Sequence, residues 1–415
     1  MKRIQLTAVF AAFLCCAASC NRNQVAPADS NMPAVRPLSA RETQTLQSTN
    51  NFAFNAFAKI SAAEPEKNIF ISPLSISMAV AMAYNGADGT TKQGIAKALD
   101  FQNSSDEDIN ASFKSLGEML TGIDKTVKFT PANSIWYRTG LAPQASFAET
   151  SRKYFNAEIT GLDFGNAEAA KSAMNGWVKD KTNGKIPQII SQVRTTDVMF
   201  LINAIHFKGT WTHQFDKNLT QNADFLAAGG NVSVPFMRLK DTRYRTHADA
   251  SHQLAELPYG NRQFSMVVIM PAENSTLNQL VSQLSITNLN GWLAKADSTK
   301  MGLYLPKFSF SYEKSLNETL AGLGMAEAFT DRADFSRLLQ GFKAGDLAIT
   351  EVKHKAFVEV NEEGTEAAAA TSIGIGTTSM PTEIRFNRPF VFLIREKNSG
   401  AILFIGKLVN PKAVQ

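Results

Sequence analysis

The chain has 415 residues, of which 44% are hydrophobic and 19% charged, as in a globular protein and unlike a collagen, a coiled coil or a disordered chain. The net charge of +5 is small for this length and no long basic run is present, so we expect no nucleic-acid partner. All three cysteines lie in the first twenty residues, which excludes a disulfide framework or a cysteine-rich metal site in the folded body.

The amino terminus has the pattern of an export signal. Lys2 and Arg3 precede an apolar stretch over residues 8–18, and small residues precede Cys20, as in a bacterial lipobox. We predict a signal peptide over residues 1–19, lipidation of Cys20, and an exported outer-membrane lipoprotein at the periplasmic face or the cell surface. Because alanine at position 17 departs from the usual leucine, an ordinary signal peptide cleaved nearby is the alternative.

The rest of the chain reads as a tether followed by one domain. Residues 20–39 are rich in Asn, Pro, Ala and Ser, which predicts a flexible tether, and residues 40–415 contain no further linker or repeat. Apolar patterns predict helices at 43–60 and 74–85, and strands at 200–207, 264–270, 301–310, 356–361, 390–395 and 401–408. Helices early and strands later predict an α+β fold.

Common enzyme signatures are missing from the sequence. There is no Gly-x-Ser-x-Gly nucleophile motif and no glycine-rich phosphate loop. The five histidines are never three or four residues apart, so no helical metal-binding pair can form. We therefore predict that the protein is not an enzyme and that it has no metal and no cofactor.

The segment 362–381 is the most unusual part of the sequence. Its four consecutive alanines favour helix, its threonines and isoleucines favour strand, and its glycines weaken both, so taken alone it predicts a mobile surface loop. As a strand it would present one uncharged and mostly small face: Thr365, Ala367, Ala369, Thr371, Ile373 and Ile375. Such a segment can lie in water and also enter a sheet without burying a charge on that face.

Residues 362–371, Glu-Glu-Gly-Thr-Glu-Ala-Ala-Ala-Ala-Thr, resemble the reactive-loop hinge of inhibitory serpins. Further motifs resemble the same family in the same order: Asn-Ile-Phe-Ile-Ser-Pro at 68–73, Phe-Leu-Ile-Asn-Ala-Ile-His-Phe-Lys-Gly-Thr-Trp at 200–211, Leu-Pro-Lys-Phe at 305–308, Phe-Asn-Arg-Pro-Phe at 386–390 and Gly-Lys-Leu-Val-Asn-Pro at 406–411. With its export signal, the chain is similar to bacterial lipoprotein serpins.

This resemblance implies a fold and a mechanism. The implied fold is α+β, with helices packed on a large central mixed β-sheet A, smaller sheets B and C, and an exposed reactive-centre loop at about 362–385. The implied function is suicide inhibition of serine, and also cysteine, endopeptidases: the protease cleaves the loop, forms an acyl-enzyme, and is carried along as the loop inserts as a new strand of sheet A. A non-inhibitory binding protein with the serpin fold is the alternative.

The resemblance also assigns roles to residues. The implied hinge consists of Glu362, Glu363, Gly364, Thr365, Glu366, Ala367, Ala368, Ala369, Ala370 and Thr371. The implied breach, at the top of the sheet, consists of Trp211, Lys307 and Glu362, and the shutter, a polar cluster beneath the sheet, consists of Ser72, Ser75, Asn203 and His354. Gly364 would be the pivot and Thr365 would enter the sheet first.

Counting along the loop as the family does makes Thr378–Ser379 the reactive bond, with Ile373, Ile375 and Met380 as alternatives. No lysine or arginine lies between residues 364 and 384, so a trypsin-like protease has no cationic residue to bind. We therefore expect elastase-like, subtilisin-like or papain-like targets, a monomeric protein, and membrane contact only through the lipid anchor.

Overall fold

The computed structural model describes residues 36–365 and 383–412, and the α-helices of this part of the chain lie between residues 40 and 320. Within these residues the α-helices are α1 (Ala40–Ala63), α2 (Pro73–Gly86), α3 (Gly89–Ala98), α4 (Asp106–Gly122), α5 (Ala145–Phe155), α6 (Ala167–Lys181), α7 (Leu277–Gln283), α8 (Ile286–Lys295) and α9 (Asn317–Leu320). None of them combines the length and the apolar character needed to cross a bilayer.

The strands of the described residues form two sheets. They are β1 (Ile69–Ile71), β2 (Val127–Arg138), β3 (Glu158–Leu162), β4 (Met199–Thr210), β5 (Gln221–Ala227), β6 (Gly230–Ala248), β7 (His252–Pro258), β8 (Phe264–Pro271), β9 (Asp297–Pro306), β10 (Phe308–Ser315), β11 (Lys353–Val360), β12 (Gly364–Thr365), β13 (Glu383–Arg385), β14 (Phe390–Glu396) and β15 (Ile402–Leu408).

A six-stranded sheet has the order β10-β11-β12-β4-β2-β3, and its pairs are antiparallel except β2–β3. A nine-stranded sheet has the order β1-β15-β14-β8-β7-β6-β9-β13, with β5 paired to β6, and only its β9–β13 pair is parallel in the described chain. The long strands β6 and β9 make this second sheet continuous, so the two smaller sheets implied by the resemblance are joined here.

The two helices predicted from the sequence lie within α1 and α2. Helix α1 begins at a capping box, in which Ser39 and Glu42 each bond the other's backbone N–H, and it buries Phe52, Phe57 and Ile60. Helix α2 begins with Ser72 as N-cap and a proline at its first position. Almost all of α2 is buried because it packs against β4 of one sheet and β15 of the other.

The single strand predicted over residues 301–310 is wrong, because two strands meet there. Strand β9 ends at Pro306 in the nine-stranded sheet, and β10 begins at Phe308 in the six-stranded sheet. Between them the N–H of Lys307 bonds the carbonyl of Pro235. The other predicted strands lie in β4, β8, β11, β14 and β15, with shifts of a few residues at their ends.

The core lies between the sheets and under the helices. Strands β8, β14 and β15 are buried on both faces, which explains their continuous apolar sequences, whereas β11 alternates between buried and half-buried residues. Helix α6 packs across β2 and β4 through a smaller cluster that includes Trp136, Met174 and Val178. The six-stranded sheet therefore has a helix over the part of its surface that β2 and β4 form.

Candidate functional site

The base of the unusual segment lies inside the six-stranded sheet. Strand β12 is only Gly364 and Thr365, yet it pairs with both neighbours: Thr365 faces Val360 of β11 and Gly209 of β4. A tight turn leads into it, because Asn361 Oδ1 accepts hydrogen bonds from the N–H groups of residues 363 and 364 at 3.0 and 3.2 Å. The two residues thus start an antiparallel strand between β11 and β4.

Close approach of two backbones explains the glycine at position 364. A Cβ on Gly364 would overlap the carbonyl oxygen of Gly209, which is backbone and cannot rotate away. The φ of Gly364 is +157°, outside the regions that other residues prefer. Glycine is therefore needed for β12 to lie this close to β4.

The two glutamates before β12 are both buried and both paired. Glu362 lies 2.8 Å from Lys307 Nζ and accepts a hydrogen bond of 2.7 Å from the Thr220 hydroxyl. Glu363 lies 2.5 Å from Lys217 Nζ. Burial by itself would raise the pKa of Glu362, but the bonds from Lys307 and Thr220 outweigh burial and hold its pKa below the usual value.

The carbonyl groups of the same two glutamates are bonded to the segment that follows β4. The N–H of Trp211 donates to Glu363 and the N–H of Phe215 donates to Glu362, both at 2.9 Å. The loop base is therefore fixed by its backbone as well as by its charges.

Two stacked aromatic rings contact the turn before β12 and the strand itself. Trp211 and Tyr259 lie 4.4 Å apart with an interplanar angle of 11°. Trp211 Nε1 donates to the carbonyl of Asn361 at 2.9 Å, and the Tyr259 hydroxyl lies 2.7 Å from Thr365 Oγ1. Burial raises the pKa of Tyr259 above its usual range, so the phenol stays neutral and available to the threonine hydroxyl.

A second polar cluster joins α2 to the six-stranded sheet. The backbone N–H of Ser72 donates to His354 Nε2 at 3.1 Å, and the Ser75 hydroxyl bonds the side-chain oxygen of Asn203. Asn203 in turn donates to Asn133 Oδ1 of β2 at 2.7 Å. The four residues of the implied shutter therefore form one chain of contacts with α2, although His354 and Asn203 lie on strands separated by β12.

An opening lies between β4 and β11 below Thr365. Within the described residues no ladder bond joins β4 directly to β11, since β12 lies between them. Residues of both strands, including Ile205 and Phe357, line a cavity of about 20 Å³, which has room for a water molecule. This opening lies in the sheet where a strand that continued β12 would run.

Most residues of the implied loop lie outside the described chain. These are Glu366, Ala367, Ala368, Ala369, Ala370, Thr371, Ile373, Ile375, Thr378, Ser379 and Met380, and Cys20 lies outside it as well. The roles assigned to them stay predictions. The chain is described again from Glu383, which begins β13 beside β9.

Several contacts of the site were not foreseen from the sequence. They come from Asn133, Lys217, Thr220, Tyr259 and Asn361. Asn361 could have been found, because an asparagine directly before Glu-Glu-Gly is a typical turn residue. The other four are distant in sequence from the loop and carry no local signal.

Comparison with known proteins identifies the architecture. A family model described as "Serpin (serine protease inhibitor)" matches residues 47–411. The chain belongs to the serpin family. The solved structure of Tengpin, described as a thermophilic serpin in the native state, aligns with a TM-score of 0.81 at 32% identity, covering 92% of this chain and 97% of that one. The serpin fold expected from the sequence is confirmed.

Curated serpin relatives carry names of two kinds. Leukocyte elastase inhibitor of Sus scrofa is 35% identical over 382 residues, which are 89% of this chain and all of that protein. Corticosteroid-binding globulin of Pongo abelii is 34% identical over 366 residues, 87% of this chain and 89% of that protein. One name describes an elastase inhibitor and the other a corticosteroid-binding protein, so family membership alone leaves both functions open.

Proposed function

We propose that this serpin is a suicide inhibitor of endopeptidases. It offers residues 366–382 as a substrate and, after cleavage at Thr378–Ser379, inserts the part that remains attached to β12 between β4 and β11. The observation that carries the proposal is β12, whose two residues already pair with both strands. Residues added after Thr365 would continue both ladders, and loop insertion in serpins is an established case of β-strand addition. The next residues on the same face are alanines, so insertion buries no charge there.

Insertion can release enough free energy to trap a protease. Each new ladder hydrogen bond contributes about 0.5–1.5 kcal/mol net, so a strand of about a dozen residues contributes on the order of ten kcal/mol. This is comparable to the free energy of unfolding of a whole domain. Once the covalent link between the loop and β13 is cut, insertion of the loop would therefore be effectively irreversible.

The target class follows from the loop sequence. Thr378 and its neighbours Ile375 and Met380 are uncharged, which favours elastase-like, subtilisin-like or papain-like proteases over trypsin-like ones. The similarity to Leukocyte elastase inhibitor supports this choice. We expect the inhibitor to act as a monomer.

A carrier function is the second candidate, since Corticosteroid-binding globulin is among the relatives. A small-molecule pocket needs about 300–1,000 Å³. The cavity below β12 holds about 20 Å³, and a second one beside Trp211 holds about 10 Å³. Neither cavity has room for a steroid, so these two cavities do not support a binding function at the hinge.

The test is incubation of residues 36–415 with pancreatic elastase, subtilisin, papain and trypsin, followed by denaturing gels and mass spectrometry. The chain should begin at Arg36 because Arg36 pairs with Glu42 at 2.6 Å and Ser39 caps α1. We expect a covalent complex that resists denaturation with elastase or subtilisin, and a released peptide that begins at Ser379. A stable complex with trypsin cleaved inside the loop would refute the target class.

A matched pair of variants separates trapping from simple cleavage. Thr365→Arg brings a charge to a site that is 5% exposed, whereas Thr365→Ser keeps the hydroxyl that meets Tyr259. We expect T365R to be cleaved without forming a complex and T365S to inhibit like the wild type. Equal inhibition by both variants would contradict insertion at this position.

We further propose that the protein is exported and anchored in the outer membrane through Cys20. The support is the sequence pattern of residues 1–20. Growth of an expressing bacterium with labelled palmitate should label the wild type and not C20S. Labelling of neither protein, with secretion of both, would favour the ordinary signal peptide.

A further inference from the structure

Two histidines and an aspartate meet at the turn between β6 and β7, away from the loop base. His247 lies near the end of β6, His252 begins β7, and Asp249 lies in the turn between them. His247 Nε2 is 3.4 Å from Asp249 Oδ2, and His252 Nδ1 is 3.3 Å from Asp249 Oδ1. One ligand atom from each of the three residues lies within 4.8 Å of the other two.

The turn holds the carboxylate in position. Asp249 Oδ1 accepts hydrogen bonds from Ser251 N, Ser251 Oγ and His252 N at 2.8, 2.7 and 3.1 Å. These bonds outweigh burial and keep the pKa of Asp249 well below its usual range. Because the turn uses Oδ1, the second oxygen, Oδ2, is the one directed at His247.

Each imidazole ring has one nitrogen atom without a hydrogen-bond partner in the described chain, whereas the other nitrogen of His252, Nδ1, lies 2.7 Å from Ser251 Oγ and would exchange this contact for a cation. Among the described residues, Nε2 of His247 and Nε2 of His252 are buried and have no hydrogen-bond partner. His252 is fully buried, with its ring 4.3 Å from that of Trp292 on α8, which restricts its rotation. An unpaired buried polar atom is costly, and a bound cation would remove this cost at His247.

We propose that His247, Asp249 and His252 form a binding site for a divalent transition metal, with zinc as the best fit. Zinc bonded at about 2.0–2.1 Å in a tetrahedron holds its ligand atoms about 3.3–3.4 Å apart, which matches the 3.4 Å between His247 Nε2 and Asp249 Oδ2. His252 Nδ1 lies 3.3 Å from Oδ1 of the same carboxylate. The ligands are Nε2 of His247, Oδ2 of Asp249 and Nδ1 of His252. Because the side chain of His247 is 16% exposed, its ring can rotate to close the third pair, and water can take the fourth position.

The proposed site departs from the expectation of no metal, which was based on the lack of histidine pairs at helical spacing. His247 and His252 are five residues apart, and a hairpin brings them together where a helix would not. A bound ion would connect the end of β6 to the start of β7 and stabilise this corner of the nine-stranded sheet. The proposed metal site does not rest on the proposed inhibitory function, so zinc binding can be tested whether or not this protein inhibits a protease.

The experiment measures zinc binding to the untagged full chain by calorimetry and by thermal melting. Cys15, Cys16 and Cys20 are replaced by serine in every sample, because thiolates also bind zinc. Free zinc at about a hundred times Kd should raise the Tm by ~3 °C for a domain of this size. Co²⁺ serves as a second probe, because a paramagnetic ion next to His252 should quench Trp292 fluorescence.

Variants identify the ligands. His247→Gln removes a partly exposed ligand, and Asp249→Asn keeps the oxygen that accepts the turn hydrogen bonds while removing the charge. We expect each to weaken zinc binding more than tenfold and to abolish the rise in Tm, with metal-free melting close to that of the parent. His213→Gln, outside the cluster, should bind zinc like the parent.

Two results would overturn the proposal. One is the absence of zinc binding and of Co²⁺ quenching in the parent protein at about 1 mM metal. At this concentration even a weak metal site with a Kd of ~10⁻³ M would be half occupied. The other is an unchanged affinity in H247Q and D249N, which would assign the binding to other groups on the surface.

Discussion

Gly364 is the residue at which the loop base comes closest to a neighbouring strand. We predict that Gly364→Ala pushes β12 away from β4, because the added methyl group overlaps the Gly209 carbonyl oxygen. The variant should be cleaved by elastase like the wild type but form at least tenfold less covalent complex. Complex formation is measured by titrating protease activity against inhibitor.

The matched control is Gly117→Ala. Gly117 lies in α4 with no atom near the position of an added Cβ, so alanine there favours the helix by roughly 0.5–1 kcal/mol. G117A should inhibit normally. If G364A also inhibits normally, the close approach of β12 to β4 is not needed for insertion.

Glu362 gives the loop base a pH dependence. Its folded-state pKa is lowered, so its stabilising contribution is present above the unfolded pKa of about 4.3 and is lost as the pH falls through the folded pKa. Glu362→Gln should cost about 1–2 kcal/mol of unfolding free energy at pH 7, because a charged hydrogen-bond partner of Lys307 is lost. Thermal melts between pH 7 and pH 3 test this prediction.

The difference in stability between wild type and E362Q should shrink as the pH approaches 3. Glu168→Gln is the control, since Glu168 pairs with Lys171 while its side chain is 81% exposed, and such surface pairs contribute little. A constant difference between wild type and E362Q at all pH values would mean that the Glu362 charge does not stabilise the loop base.

Among the elements, β11 is tied to α2 through one histidine. Burial lowers the pKa of His354 to about 4, and its neutral Nε2 accepts the Ser72 N–H. The folded pKa lies below the unfolded value, so this contribution to stability is present above about pH 6.5 and is lost as the pH falls toward 4. The shift corresponds to about 3 kcal/mol.

We therefore predict that the Tm of the wild type falls between pH 6.5 and pH 4 and that His354→Gln flattens this part of the curve. Glutamine can accept the Ser72 N–H without titrating, although it fills the site less well, so H354Q should be less stable than wild type at pH 7. Two parallel curves over this range would show that the pKa of His354 is the same in the folded and the unfolded protein, and would contradict the lowered pKa.

The elements that could be predicted from sequence are those with a strong local pattern. The apolar runs of β8, β14 and β15 and the phenylalanines of α1 were sufficient by themselves. Strand β2 could not be predicted from its sequence pattern, because it includes Pro131 and polar residues that bond across the sheet. The break at Lys307 was missed because apolar residues continue on both sides while the chain changes sheets.

The candidate site, too, could be predicted only in part from the sequence. The residues implied by the family motifs lie together at the loop base, but Lys217 and Tyr259 are brought there from distant parts of the chain. Their positions depend on the pairing of long strands, which no short sequence window contains. The hairpin cluster of His247 and His252 was missed for a similar reason, because only the turn makes the two rings neighbours.

At the scale of the whole molecule, residues 366–382 connect two strands that belong to different sheets. Strand β12 belongs to the six-stranded sheet and β13 to the nine-stranded sheet. After β13, the strands β14 and β15 are fully buried and paired on both sides. Cleavage between β12 and β13 would therefore separate the segment after β12 from β13 without releasing the carboxy-terminal strands.

We predict that the fraction of the protein that elastase cleaves without forming a covalent complex stays one particle and becomes more stable. In native mass spectrometry the mass of this fraction should rise only by the one water molecule that hydrolysis adds, and the carboxy-terminal peptide should separate only in denaturant. An insertion contribution on the order of ten kcal/mol raises the Tm by roughly 10 °C or more for a domain of this size. T365R, cleaved at the same bond, should keep the peptide, since β14 and β15 hold it, but gain little in Tm. A cleaved wild type that melts at the temperature of the intact protein would mean that the loop does not enter the sheet.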